Sequence, residues 1–459
     1  MFLQFGPQFL KIKLKFFRVN DIIKKNAKAL TMDKRIYNGY IKILEEELLP
    51  AMGCTEPISV AYAAALSRDT LGAMPEKVEI SVSGNILKNV KSVVVPNTGG
   101  MKGVNSAAAA GIVAGVAEKK LEVISSVTEE DRKRILAYLK TAEFSIEQSQ
   151  SGCIFDISVR VSNGNDSALV RIAGHHTNVV LIEKNGKDIL NLNFQSEEAA
   201  CCADRKFLSV DKILEFADCV KIADVEEVIK RQISYNTAIA EEGLKNDYGA
   251  RVGKVLLGAF GEGVHNRAKA TAAAGSDARM NGCSLPVVIV SGSGNQGMTA
   301  SLPVIVYAKH LKVSEEKLIR ALVVSDLITV HLKTGIGRLS AYCGAVSAGC
   351  GAGAGVCYLY GGGYDEVSHT IVNALAINSG VICDGAKSSC AGKIASAVEA
   401  GLLGFEMCRN GSGFVGGDGI LEDGVESTID NVGDIARVGM RETDEEIIRL
   451  MIKNAKKTR

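Results

Sequence analysis

Apolar positions switch between two spacings along the first two fifths of the chain. Residues 35–49 (RIYNGYIKILEEELL) repeat at three and four, which predicts an amphipathic helix, and "EPISVAYAAALSRDTLG" (56–72) predicts a second. "KVEISVSGNI" (77–86) and "VKSVVVP" (90–96) have the alternation and β-branching of strands, whereas 106–120 and 129–142 return to helical spacing. From residue 153, three strand-like runs are broken by "NGND" and "GHHTN", turn signals that predict an antiparallel meander. Beyond about residue 210 the strand pattern nearly disappears. "LPVVIV" (285–290) is its one clear return, and helical stretches fill the rest. The pattern predicts an α+β fold. A mixed α+β portion with the meander spans 32–208, and a mostly helical portion with Gly-rich loops spans 209–459.

Composition narrows the function classes. A chain of 459 residues with 47% hydrophobic residues can build two or three cored domains. A net charge of +1, 5% aromatics and no tryptophan argue against nucleic acid or an anionic membrane as partner. Long Ala/Gly stretches such as "CGAVSAGCGAGAGVCYLYGGG" are punctuated by glycine throughout, so they predict tightly packed buried helices and not membrane spans. Twelve cysteines are too few for a disulfide scaffold, and no secretory signal is evident. A cytoplasmic location, with thiols free or metal-bound, is therefore expected. Residues 1–31 differ from the rest, with Lys11, Lys13, Lys15, Arg18, Lys24, Lys25 and Lys28 against Asp21 alone. They read as a basic extension or as a mis-assigned start, with Met32 the preferred first residue.

Two glycine loops follow strand-like runs and precede helices. Gly292, Gly294 and Gly297 form a literal G-x-G-x-x-G in "SGSGNQG". Pro303 within the following helix and the missing second strand count against a dinucleotide site. A bare tight turn and a cradle for a small anion such as a substrate carboxylate remain. "VPNTGGMKGVNSAAAAG" (95–111) repeats the device, with Asn97, Thr98 and Lys102 adding donors.

The cysteines divide by context. Cys153, Cys219 and Cys408 sit singly in apolar or amphipathic runs and read as packing, as do the adjacent Cys201 and Cys202. Cys283 stands just before the strand that enters the glycine loop. Cys343, Cys350 and Cys357 recur every seven residues and would share one helical face, with Cys343 at the helix start, where a thiol pKa falls. Cys383 and Cys390 flank "DGAKSS", a poor helix former. In a continuous helix seven residues would separate their sulfurs by about 10 Å, too far for one shared zinc, but a curled loop could join them. No C-x-x-C occurs, which counts against a zinc ribbon or a thioredoxin-like pair. A polynuclear cluster tolerates wider spacing, and three thiolates on four irons would leave one iron open as a Lewis acid. Cys54 in "GCTEP" precedes Pro57, a first-turn residue, so the helix dipole is expected to favour its thiolate and make it a candidate base. A small residue in a tight turn is the plainer reading.

With these motifs in place, the chain resembles the L-cysteine desulfidase family, whose C-terminal half is similar to the alpha portion of iron–sulfur L-serine dehydratases. "GCTEPISVAYAAA", "VPNTGG", "GSGNQG", "LSAYCGA", "ICDGAKSSCAGK" and "GMRETDEEI" carry the resemblance, which runs from Met32 to about Asn454. It implies one 4Fe-4S cluster with an open iron, held by Cys343, Cys383 and Cys390, and no pyridoxal phosphate or NAD. It implies Cys54 as proton acceptor in the β-elimination of L-cysteine to pyruvate, ammonia and sulfide. Cys350 lies in the same ligand region, but Cys343 occupies the "YCG" slot. The substrate, a small amino acid, is expected to place its carboxylate on the amides of Ser293, Gly294, Asn295, Gln296 and Gly297, with Asn97 and Thr98 assisting. Lys387 would face the cluster or substrate, or else solvent. His175 and His176 are further candidates for a metal or acid–base role, and a homodimer is a further expectation. The alternatives are the same scaffold acting on L-serine and a non-catalytic iron–sulfur sensor.

Overall fold

Alternating burial along β-branched segments builds a six-stranded mixed sheet, and helices with apolar stripes or small-residue faces surround and extend it. The computed structural model describes residues 32–192, 194, 203–337 and 339–457; segment 1–31 and Cys201 and Cys202 lie outside the described residues. Helix α1 (Lys34–Glu47) starts at Asp33, whose carboxylate accepts from the Arg35 and Ile36 amides, and it buries Tyr40, Ile43 and Leu44 along one stripe. Strand β1 (Pro50–Met52) follows, then α2 (Thr55–Leu71), buried along most of its length. Next come β2 (Lys77–Val82), α3 (Gly84–Val90), α4 (Val104–Ala114) and α5 (Glu129–Thr141). The sheet is completed by β3 (Glu143–Gln148), β4 (Asp156–Asn163), β5 (Asp166–Ala173), β6 (Val179–Lys184) and β7 (Lys187–Asn191), in the order β3-β2-β4-β5-β6-β7. Among the described residues only β2 and β3 pair in parallel; β4 to β7 form the expected meander.

Two local expectations are corrected. Residues 90–96 are not a strand, because Ser83 accepts from the Ile86 amide and starts α3, which runs to Val90. Val93 and Val95 are buried in the core from an irregular loop whose one ladder contact is the bridge Val94–Lys102. The helix expected over 106–120 stops at Ala114, where Gly115 adopts extended backbone before a short 3-10 turn at Ala117–Glu122.

The second half comprises α6 (Val210–Cys219), α7 (Glu226–Lys245), α8 (Val252–Phe260), α9 (Val264–Met280), β8 (Pro286–Val288) and α10 (Gly294–Leu311). It continues with α11 (Glu315–Ile336), α12 (Gly344–Leu359), α13 (Tyr364–Ile377), α14 (Cys390–Arg409), α15 (Val425–Asp434) and α16 (Arg441–Lys457). The Ala/Gly run is α12, packed so closely on α14 that a Cβ at Gly349 would lie 2.2 Å from the Ala397 carbonyl oxygen. One pairing joins the two halves: β8 is antiparallel to β1, with Pro50 opposite Val288 and Met52 opposite Pro286. It places the turn carrying Cys54 beside the glycine loop that opens α10. Among the described residues no helix is long and apolar enough to cross a membrane.

Candidate active site

Three short backbone devices bring the site together. Residues 341–343 and 381–383 lie side by side, with the Cys343 amide donating to the Val381 carbonyl at 2.8 Å and the Cys383 amide to Ala341 at 2.6 Å. Cys390 is the first residue of α14, and the curl between it and Cys383 is closed by its amide donating to the Lys387 carbonyl at 3.0 Å. All three thiols line one cavity of about 110 Å³, together with Glu56, Lys88, Asn89, His176, Ser293, Asn295 and Gln296. The loop that the sequence left ambiguous therefore does curl.

The thiols are electrostatically unequal. The Cys343 thiol hydrogen-bonds to Cys383, and this, with burial, raises the Cys343 pKa. The same bond lowers that of Cys383, against burial, with help from the Lys88 and Lys393 ammoniums. Burial raises Cys390. Lys88 is itself buried and paired with Asp444 at 2.5 Å, and Lys393 donates to Asp384 at 2.5 Å and to the Ile382 carbonyl at 2.6 Å. Lys387 pairs with Asp384 and is not part of the cavity wall. Among the described residues no three His, Cys, Asp or Glu groups converge on a single metal ion. Three thiols around one cavity, one of them biased toward thiolate, fit a larger polynuclear group better than a mononuclear site.

Cys54 is 3% exposed and packs with Val93 and Met280, against Ala386 and Cys390. Its Sγ donates to Glu56 Oε2 at 3.0 Å. Burial pushes the Cys54 pKa well up and the Glu56 carboxylate adds to this, with Arg279 opposing. The expected stabilisation of a thiolate by the helix start is therefore outweighed, and the resting form is the thiol. Glu56 has the opposite balance. Burial disfavours its charge, but His176, the Cys54 thiol and Arg279 hold its pKa below the ordinary carboxylate value. Asn89 donates to Glu56 Oε1 at 3.0 Å, and the Thr55 hydroxyl lies 3.1 Å from Oε2 and 3.0 Å from the Gly292 carbonyl oxygen. The acid of "GCTEP" is thus wired both to the thiol and to the glycine loop.

That loop turns at Ser291 (φ 49°) and Gly292 (φ 75°) before α10 begins with no side-chain cap at Ser293, leaving its first amides to other partners. Ser293, Asn295 and Gln296 line the cavity, and the buried Asn295 Oδ1 and Gln296 Oε1 have no hydrogen-bond partner. Gly294 and Gly297 lie behind them. A Cβ at Gly297 would meet the Val288 carbonyl oxygen at 2.0 Å, so that glycine serves close packing on β8. Asn97 and Thr98 are not brought to this cavity. Asn97 Nδ2 donates to the Ile124 and Ser125 carbonyls at 3.1 and 3.2 Å, and the Thr98 hydroxyl donates to Val95 O at 2.7 Å, so both are spent on the fold.

His176 lines the cavity with its ring edge-on to Phe155, 4.8 Å between centroids, while His175 faces a neighbouring cleft with Glu46, Glu47 and Arg205. Cys350 and Cys357 are buried within α12, their thiols pushed up to about 12 by burial, and neither lines the cavity. Sequence reasoning missed Glu56, Lys88, Asn89 and Arg279. Glu56 alone had a signal, an acid two residues beyond a helix-start cysteine.

Residues 118–449 match the serine dehydratase alpha chain family. A UPF0597 protein of Desulfitobacterium hafniense is 58% identical over 91% of this chain and 97% of its own length. UPF0597 proteins of Lachnoclostridium phytofermentans and Treponema denticola are 51% and 46% identical, over 91% and 93% of this chain and the whole of theirs. A match of this length, over a fold that gathers its cysteines, a buried acid and a glycine loop around one cavity, means that the chain belongs to the serine dehydratase alpha-chain family, a membership that supports a lyase-type role.

Proposed function

We propose that the protein is an iron–sulfur-dependent lyase that splits L-cysteine into pyruvate, ammonia and sulfide by β-elimination. The observation that carries this reading is the Cys54–Glu56 pair packed against Cys390, beside a cavity walled by three thiols. Cys343, Cys383 and Cys390 are the residues that would hold a 4Fe-4S cluster, which supplies a Lewis-acidic iron for the leaving group when bound. The protein's own groups do the rest. Amides at the start of α10 receive the substrate carboxylate. As Cys54 Sγ takes the substrate's α-proton, its own proton moves to Glu56 Oε2 along the hydrogen bond already present, so no free thiolate has to form in the buried site. The electron pair left at Cα forms the Cα–Cβ double bond as the Cβ–S bond breaks, and the sulfur leaves with the bonding pair as hydrosulfide. The released aminoacrylate tautomerises to an imine, which water hydrolyses to pyruvate and ammonia. The buried Cys54 environment excludes water from the proton transfer.

Motif resemblance around Cys54 favours L-cysteine, whereas the family match by itself supports L-serine as the alternative substrate. The test is anaerobic. Protein reconstituted with iron and sulfide is examined by visible spectroscopy and then assayed for sulfide and pyruvate with each amino acid. Brown protein that releases sulfide from L-cysteine is expected. Brown protein active only on L-serine would move the substrate, and protein that stays colourless and inert would sink the reading.

A further inference from the structure

Arg279 is the largest fully buried side chain among the described residues, at 2% exposure, and its Nε has no hydrogen-bond partner. Burying a guanidinium without full pairing is costly, and an apolar side chain of similar size would fill the same space without that cost. A cation retained there points to a use for the charge. Its location supplies one. Arg279 stands next to the end of α9, pressed on the first residue of α10: a Cβ at Gly294 would lie 2.5 Å from Nε and 2.9 Å from Cζ. Its neighbour Met280 packs on Cys54, and Met280 Sδ accepts the Asn295 side-chain amide at 3.6 Å. The guanidinium therefore lies directly behind the amides that open α10, and its charge reaches Cys54 and Glu56.

The cavity needs such a cation. Glu56 lines it as a buried carboxylate, so an anionic substrate group meets like charge on entry. Two lysines share the wall, and both are engaged: Lys88 is paired with Asp444, and the buried Lys333 is not free either. We propose that Arg279 is a positioning residue for the substrate's α-carboxylate, acting through Gly294 and the α10 amides to make the Ser293–Gln296 rim a seat for a negative group. The inference rests on the amino-acid lyase reading above and narrows its substrate class to compounds with a free α-carboxylate.

The test compares L-cysteine with L-cysteinamide, which lacks the charge, in steady-state assays of the reconstituted enzyme. Wild-type protein should prefer the acid at least tenfold in kcat/KM. R279M should raise KM for L-cysteine at least tenfold and leave KM for the amide within about threefold, while any fall in kcat, acting through Cys54 and Glu56, should be smaller and shared by both compounds. R279K should recover most of the preference. R279Q carries the same comparison if R279M fails to fold, as judged by circular dichroism and melting temperature. Equal losses for acid and amide, or an unchanged acid-to-amide ratio in folded variants, would overturn the proposal while leaving the lyase reading intact. If only L-serine is turned over, the same comparison is made with L-serinamide, and wild-type enzyme that turns over none of these compounds overturns the lyase reading and this inference with it.

Discussion

Cys343 and Cys350 stand seven residues apart at one end of the same helix, yet only one reaches the cavity. Cys343 is the residue before α12, held by the backbone bridge to the 381–383 segment, hydrogen-bonded through sulfur to Cys383 and lining the cavity. Cys350 is two turns in, sealed among small residues, with its thiol pushed up to about 12. The contrast teaches that cysteine chemistry here is set by where the helix starts. Thiols just before a helix or at its first residue, as at Cys343 and Cys390, can be aimed by loop geometry and tuned by neighbouring charge, while thiols deep inside one behave as small apolar side chains.

Breaking that contrast gives the largest expected effect. C343S or C383S should abolish the visible iron–sulfur absorption of anaerobically reconstituted protein and all turnover, whereas C350A should keep both and lower thermal stability by about 1 kcal/mol. Retained absorption in C383S would remove Cys383 from the ligand set. Next in size is the base. C54A should keep the absorption but lower kcat by roughly 10²-fold or more, and E56Q should do the same with little change in KM, because the thiol loses its proton acceptor. If E56Q retains full kcat, Cys54 reaches its thiolate without Glu56, and the relay is wrong.

A smaller effect, on stability alone, tests the inert side of the comparison. The α12–α14 contact leaves no room for a Cβ at Gly401, which would lie 2.0 Å from the Gly349 carbonyl oxygen. G401A should force the helices apart and cost about 1–3 kcal/mol in chemical denaturation, with absorption per folded molecule unchanged. A G401A protein as stable as wild type would mean that the contact is looser than drawn.

These expectations also mark what was legible beforehand. The meander was readable because β4 alternates inward Ile157, Val159 and Val161 with outward Ser158, Arg160 and Ser162, and β5 and β6 follow it across unmistakable turns. Strand β3 was not, since five of its six residues are exposed and pairing with β2, not burial, defines it. Val93 and Val95 misled because core burial and strand formation leave the same residue preference. At the site, short motifs announced the three cysteines and Cys54. Arg279, however, meets the Cys54 turn only because β1 pairs with β8 across more than two hundred residues, and no local pattern encodes that meeting. The direction of the Cys54 shift was misjudged for a related reason. A helix start was visible in the sequence, but the depth of burial and the partner carboxylate required the fold.

An effect confined to the pH dependence of stability extends the same contrast from thiols to acids. Glu56 and Asp326 are both buried carboxylates, but their surroundings differ. Glu56 has several donors and a nearby guanidinium and stays ionised. Asp326, inside α11, accepts only from Gln232 Nε2 at 2.9 Å, and burial raises its pKa to about 7. In the unfolded chain its carboxyl ionises near the ordinary value of about 4. A group whose pKa rises on folding contributes stability that is complete below its unfolded pKa and is lost as pH climbs through its folded one. Wild-type protein should therefore lose stability between about pH 4 and pH 7, to which Asp277, raised to about 6, also contributes. D326N keeps an acceptor for Gln232 but cannot ionise, so urea denaturation from pH 5 to pH 8 should show a shallower decline than in wild type. An identical slope in the two proteins would mean that Asp326 stays ionised in the fold, held by groups beyond Gln232, and that its surroundings resemble those of Glu56 after all.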